Sequence, residues 1–248
     1  MAAGGRLMAI LELSQVMKRY GALIVADQID LELAQGEALG IIGPNGAGKT
    51  TLFNLIAGTV RVDAGAVSFA GRDITYLRAA ERCRIGISCS FQIPHPFGGM
   101  TVFENVLVGA TYGAGKGERA SYGRVMEILE LTALTGKANA LAGALTLLER
   151  KRLEMARALA TSPRLLLLDE IAGGLTEPEC RELVEAVRQI RSTGVSIIWI
   201  EHIVHALIAV VDRLAVIDFG RKIADGDPRQ VIESPEVREI YMGIEADA

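Results

Sequence analysis

Eight consecutive residues, Gly43-Pro44-Asn45-Gly46-Ala47-Gly48-Lys49-Thr50, satisfy the pattern G-x-x-x-x-G-K-[ST] without a mismatch. The chemistry such a run performs is phosphate binding. Its glycines let successive backbone N–H groups curl around phosphate oxygens, Lys49 offers a compact cation for the β- and γ-phosphates, and the Thr50 hydroxyl can hold Mg2+. Residues 37–42 read as a buried strand entering the loop, and residues 51–57 have helical spacing leaving it. The phosphates are thus expected at a helix N-terminus, where the helix dipole adds to the amides. A second group lies in Leu165-Leu166-Leu167-Leu168-Asp169-Glu170, an apolar strand ending in two carboxylates. A buried strand delivers such a pair to the C-terminal edge of its sheet, beside the phosphate loop. There the first carboxylate can hold Mg2+ and the second can orient or deprotonate water.

The elements that must position these groups follow from hydrophobic periodicity. Over the first 40 residues short apolar runs, 10–13 and 29–33, alternate with turn signals and predict antiparallel strands, and 66–69 reads as a further strand of that layer. Residues 101–112, 122–134 and 147–160 carry apolar residues at helical spacing and predict a helical insert. From residue 164 strand and helix alternate, at 165–168, 178–191, 195–200, 203–210 and 214–217. That order implies a parallel sheet covered by helices.

Composition bounds the function classes. The chain has 248 residues, half of them apolar, and a formal charge of −4. No dense basic footprint points to a nucleic-acid partner. The densest basic run, Arg150-Lys151-Arg152 with Arg157, lies on a helical pattern and reads as a solvated face. Cys83, Cys89 and Cys180 form no C-x-x-C pair, which speaks against a disulfide framework or zinc site and fits a reducing cytoplasm. Residues 1–10 lack the layout of a secretory signal, and no apolar stretch approaches the roughly 18 residues that cross a bilayer, so a membrane role is expected to be peripheral.

Taken together, the motifs resemble the ATP-binding subunits of ABC transporters along nearly the whole chain. Tyr20 lies 29 residues before Lys49, where that family has an aromatic that stacks on adenine. Gln92, in Cys89-Ser90-Phe91-Gln92, matches the glutamine that touches Mg2+ and links the site to the membrane subunits. Asp169 and Glu170 match the metal carboxylate and the general base. Gly173-Gly174-Leu175-Thr176 occupies the loop that crosses the dimer interface. His202, 32 residues after Glu170, matches the γ-phosphate-sensing histidine, whereas His95 and His205 have no counterpart and read as surface or packing residues. The resemblance implies ATP and Mg2+ as ligands. It places Val25 and Thr51 with the loop residues around the nucleotide, and Thr50, Gln92 and Asp169 at the metal.

The family's signature, usually L-S-G-G-Q, is represented by Leu145-Thr146-Leu147-Leu148-Glu149, without its glycines. Thr146 and Glu149 form an S/T-x-x-E/Q capping box and predict a helix start with free amides. Leu148 is expected to place an isobutyl group where backbone approaches the partner's phosphate, and Glu149 to bring negative charge there. Residues 91–106 and the ending 234–243 resemble one subgroup, the longer of two paired ATPases of branched-chain amino acid importers; relatives serving urea or short amides share much of this wording. The implied fold is α/β, a P-loop NTPase with a RecA-like core, an antiparallel β subdomain and a helical subdomain. It is expected as a single domain over 1–248, with the helical part at about 93–162 and a helical tail at about 228–248. The implied partners are a second ATPase subunit packed head to tail, two membrane permeases and, indirectly, a binding protein. The implied location is the cytoplasmic face of the inner membrane. A non-transport ABC ATPase acting on DNA or ribosomes is the rival reading, and the chain shows no basic face, long coiled-coil insert or tandem domain for it.

Overall fold

The structure is a computed structural model that describes residues 9–245. Strands β1 (Ala9–Tyr20) and β2 (Leu23–Ala34) form an antiparallel hairpin closed by Gly21 and Ala22. β3 (Ala38–Ile42), α1 (Lys49–Ala57), β4 (Ala64–Phe69), β5 (Arg72–Asp73), α2 (Ala79–Arg84) and β6 (Ile87–Ser90) follow. Three helices come next: α3 (Val102–Val108), prolonged by a π turn at Gly109–Gly113, α4 (Glu118–Leu131) and α5 (Leu147–Ala160). The alternating part comprises β7 (Leu165–Asp169), α6 (Glu177–Ser192), β8 (Ser196–Ile200), α7 (Val204–Ile208), β9 (Arg213–Asp218) and β10 (Arg221–Gly226). Helices α8 (Pro228–Glu233) and α9 (Pro235–Glu245) end the described chain. The tail expected at 228–248 is helical as far as it is described; residues 246–248, like residues 1–8, lie outside the described residues.

Two sheets result. The smaller has the order β2-β1-β4-β5 and is antiparallel; the larger has the order β10-β9-β3-β8-β7-β6 and is parallel except for its edge strand β10. Successive side chains of a strand point to opposite faces, so each central strand feeds two cores. Leu39, Ile41, Leu165, Leu167, Ile198 and Ile200 pack with α1 and the smaller sheet. Ala38, Ile42, Leu166, Leu168, Ile197 and Trp199 pack on the other face with the helices.

The parallel sheet, the antiparallel layer and α5 stand where periodicity predicts them. Elsewhere the boundaries differ. The first two strands run to twelve residues each because register shifts and the left-handed residues Gln15 (φ 49°) and Gln28 (φ 51°) interrupt the two-residue alternation without ending the pairing. α4 starts at Glu118 and not near residue 122, since its polar first turn carries no apolar period. The helix expected at 203–210 shortens to α7, and β10 and α2 are additional elements.

Arg82 of α2 is 1% exposed and, among the described residues, forms no ion pair, though the charge of Asp73 counters part of the cost of its burial. Its guanidinium donates only to backbone carbonyls: Leu55 and Ile56 at 2.6 and 2.9 Å, Ile74 and Thr75 at 2.8 and 3.1 Å, and Leu77 at 3.0 Å. The first two are carbonyls of the last turn of α1, where the helix dipole is negative. Arg82 thereby anchors the far end of the helix that begins at Lys49. Removing the cation leaves these buried acceptors unpaired, so Arg82→Met is expected to lower unfolding stability by about 3 kcal/mol. Urea denaturation of the nucleotide-free protein measures it, and an unchanged midpoint contradicts the anchoring role.

Candidate active site

The phosphate loop spans the end of β3 and the start of α1, at the C-terminal edge of the parallel sheet. Two of its glycines are obligatory. A Cβ on Gly43 (φ 156°) would stand 2.0 Å from the Ile217 carbonyl oxygen, and one on Gly48 (φ 104°) would stand 2.2 Å from that of Val25. Val25 is thus placed against the loop by its backbone. Ala47 is buried, Asn45, Gly46 and Thr50 are exposed, and Pro44 and Thr51 are half-buried. Lys49 is buried, and its Nζ donates to the carbonyls of Gly43 at 2.7 Å and Pro44 at 2.8 Å. Burial lowers its pKa, opposed by the charges of Glu170 and Asp169.

Those carboxylates end β7. Asp169 is buried, its Oδ1 has no hydrogen-bond partner, and burial, reinforced by Glu170 and Glu201, pushes its pKa up to about 6 against the pull of Lys49. Glu170 takes a left-handed conformation (φ 44°), a strained state for a residue with a Cβ, held by its N–H bond to the Ile200 carbonyl at 2.8 Å. Gln92 Nε2 donates to Glu170 Oε2 at 2.6 Å. Lys49, Gln92, Asp169 and Glu170 therefore form one cluster. Tyr20, at the end of β1, is 51% exposed with Lys18 Nζ over its ring, 5.4 Å from the centroid; it is no core residue. His202 is exposed and shares a cavity of about 490 Å³ with Gln92, Leu147, Lys151, Gly173 and Gly174. His95 and His205 are exposed, and the three cysteines are free.

The residues fit Mg2+. An unpartnered buried carboxylate oxygen, a hydroxyl and a side-chain amide are hard oxygen donors. Among the described residues no group of three or more His, Cys, Asp or Glu side chains could hold a metal alone.

Three expectations about α5 need correction. The basic run is not a solvated face. Lys151 is 3% exposed with Nζ 3.4 Å from the Gln92 carbonyl, and Arg152 pairs with Glu182 of α6 at 2.8 Å. Arg150 donates to the Leu145 and Gly143 carbonyls, and Arg157 donates to the His95 carbonyl with its guanidinium 4.8 Å from the Phe97 ring centroid. The side opposite the apolar stripe is covered by segment 92–97 and α6, which a helical period cannot reveal. Leu148 turns into the core at 7% exposure, and it is Leu147, 42% exposed, that stands at the surface of the helix start. Glu149 brings no free charge. One carboxylate oxygen accepts the Thr146 N–H at 2.9 Å and the other pairs with Lys137 at 3.0 Å, while Thr146 Oγ1 accepts the Glu149 N–H. Thr146 and Glu149 are therefore engaged in the cap of α5. Sequence reasoning missed Glu201, wholly buried behind His202; a carboxylate directly after a strand of isoleucines was the available signal.

The fold and site define a P-loop nucleotide hydrolase, and comparison with known proteins specifies which kind. The family described as "ABC transporter" matches residues 26–173, and that described as "Branched-chain amino acid ATP-binding cassette transporter" matches 221–247. The lipopolysaccharide export ATP-binding protein LptB of Acidithiobacillus ferridurans is 35% identical, covering 94% of this chain and 97% of its own length. The high-affinity branched-chain amino acid transport ATP-binding proteins BraF of Pseudomonas aeruginosa and LivG of Escherichia coli are 34% and 32% identical, each covering 94% of this chain and 98% of its own length. A crystal structure of the ADP conformation of an ATP-binding cassette of an ABC transporter superposes with a TM-score of 0.88 at 32% identity, covering 95% and 99% of the two chains. The chain belongs to the ATP-binding subunits of ABC transporters: it binds and hydrolyses ATP and works with membrane permease subunits. No helix among the described residues is long and apolar enough to cross a membrane.

The buried Asp169 carboxyl carries a measurable cost. Its folded pKa of about 6 exceeds the unfolded value of 3.8, so its contribution to stability falls as pH rises from about 4 to 6 and stays low above that. Nucleotide-free Asp169→Asn is expected to equal the parent near pH 4 and to exceed it by up to about 3 kcal/mol at pH 8. Urea melts at both pH values test this, and an Asn variant less stable at pH 8 refutes it.

Proposed function

We propose that the chain is the ATPase of an importer for branched-chain or related amino acids, peripheral on the cytoplasmic face of the inner membrane. The observation that carries this reading is the match of residues 221–247 to the branched-chain family, supported by the BraF and LivG relatives. The similarity to LptB favours a second reading, an export system. Uptake of radiolabelled leucine by proteoliposomes holding the chain with its cognate permeases, second ATPase and binding protein separates the two: ATP-dependent accumulation supports import, and none refutes it.

In this reading Lys49 and the amides of residues 43–48 cradle the β- and γ-phosphates, Tyr20 stacks on adenine, and Val25 and Thr51 flank the nucleotide. Thr50, Asp169 and Gln92 hold Mg2+, which when bound neutralises phosphate charge. Glu170 takes the proton of the attacking water, and the strained backbone at this residue fixes its carboxylate. Gln92 holds that carboxylate until nucleotide arrives. His202 steadies the γ-phosphate. Permease subunits dock on segment 91–97, where Phe91, Ile93 and Phe97 are exposed and Phe91 lines a cleft of about 470 Å³ with Tyr112 and Arg157. Lys49→Ala is expected to keep the fold and lose ATP binding, and Glu170→Gln to keep binding and lose turnover by at least about 100-fold. Binding titrations and single-turnover assays on both variants decide. Near-parent hydrolysis by either variant removes that residue's role.

The partner ATPase is a second, non-identical chain packed head to tail. Leu147 stands at the helix start that faces the partner's nucleotide, where the family pattern has glycine, so that site closes poorly and the one built on Lys49 and Glu170 does most of the work. With the catalytic Glu changed to Gln in one subunit at a time, transport-coupled ATPase is expected to collapse for Glu170→Gln and to persist substantially for the partner's equivalent. Equal losses, or the reverse order, exclude the asymmetry.

A further inference from the structure

Glu201 takes no chemical part in the reading above, yet it is the most deeply buried carboxylate among the described residues, at 0% exposure. One oxygen accepts the Ala172 N–H at 2.6 Å. The other accepts the N–H groups of His202 at 3.1 Å and Ile203 at 3.5 Å, and lies 3.5 Å from His202 Nδ1. Ala172 belongs to the loop that follows Glu170, and His202 to the loop after β8, so one carboxylate ties together the two loops that flank the site. The charge facing it from α5 is Lys151, 3% exposed and itself on the Gln92 carbonyl. Withdrawing a carboxylate from water is costly, and a neutral hydroxyl could accept one of these N–H bonds at less cost. What an anionic acceptor adds is the capacity to hold the imidazole by its Nδ1–H, a bond that is often long before substrate binds.

We propose that Glu201 is a positioning residue that fixes His202 as its Nδ1–H tautomer and turns Nε2 toward the cavity shared with Gln92, Gly173 and Gly174. With Nδ1–H held by Glu201, Nε2 is the ring nitrogen left to face an incoming phosphate. The same carboxylate locks residues 170–174 to the His202 loop, so the base and the histidine move as one unit. The proposal rests on His202 acting at the nucleotide, and its first readout needs no turnover.

The experiment is two-bond 15N–1H correlation on the full chain labelled with 15N-histidine, nucleotide-free at pH 8.5, where imidazoles are neutral. His202 is assigned by its absence in His202→Gln. The parent is expected to show the Nδ1–H pattern, and Glu201→Gln to shift toward the Nε2–H form. In the assembled transporter Glu201→Gln is expected to lower kcat by about 10-fold or more with KM for ATP within about 3-fold. An Nε2–H pattern in the parent overturns the proposal by itself, even if the variant fails to fold. A merely structural role would lower the melting temperature of Glu201→Gln and leave its imidazole signals unmoved, which also overturns it.

Discussion

Lys49, Asp169 and Glu170 stand at one edge of one sheet, the first two buried, and the field of the two carboxylates favours the lysine's charge while each carboxylate opposes the other's. The lysine rests on two loop carbonyls and draws on the field of both carboxylates; the aspartate keeps one oxygen with no partner and depends on the lysine's charge. Parallel strands make this arrangement possible. β3 and β7, separated in the sheet only by β8, end on the same side, so a loop read near residue 45 and a carboxylate pair read near 170 meet across the strand between them. The site is therefore under electrostatic tension until something with phosphate oxygens and a divalent cation completes it.

Much of this was legible in the chain because it is local. The loop is eight contiguous residues, and the carboxylates follow directly on a strand that announces itself with four leucines. α5 was placed to the residue because Thr146 and Glu149 cap it reciprocally and its apolar spacing runs unbroken to Ala160. What stayed illegible depends on covers supplied from afar. Lys151, Arg152 and Arg157 have the sequence signature of a wet helix face, yet a strand-end segment some sixty residues earlier and a helix some thirty residues later close over them. Arg82 was invisible for the same reason, since its partners are carbonyls from the end of α1 and from the turn 74–77 and carry no side-chain code.

The start of α5 shows how far a motif can depart from its pattern while its backbone task remains. Two leucines replace two glycines, but they do not act alike: one fills the core and the other faces outward. The glutamate that replaces the usual glutamine is discharged locally by Lys137 and the cap. Counting substitutions would rate the segment as lost, whereas its geometry reduces the departure to a single exposed side chain.

The helices α3 to α5 do not own a core. Val106, Ile128 and Leu153 belong to the same apolar cluster as Leu166 and Trp199 of the sheet. A close-packed interior of that kind resists free hinging, and relative motion across it must be shear, helices sliding by small steps while their side chains change neighbours. The mechanical stroke available to this subunit is accordingly short and stiff. Force leaves such a subunit as from a lever with little play, and the compliance of an assembly built on it has to reside elsewhere, in the joints between chains.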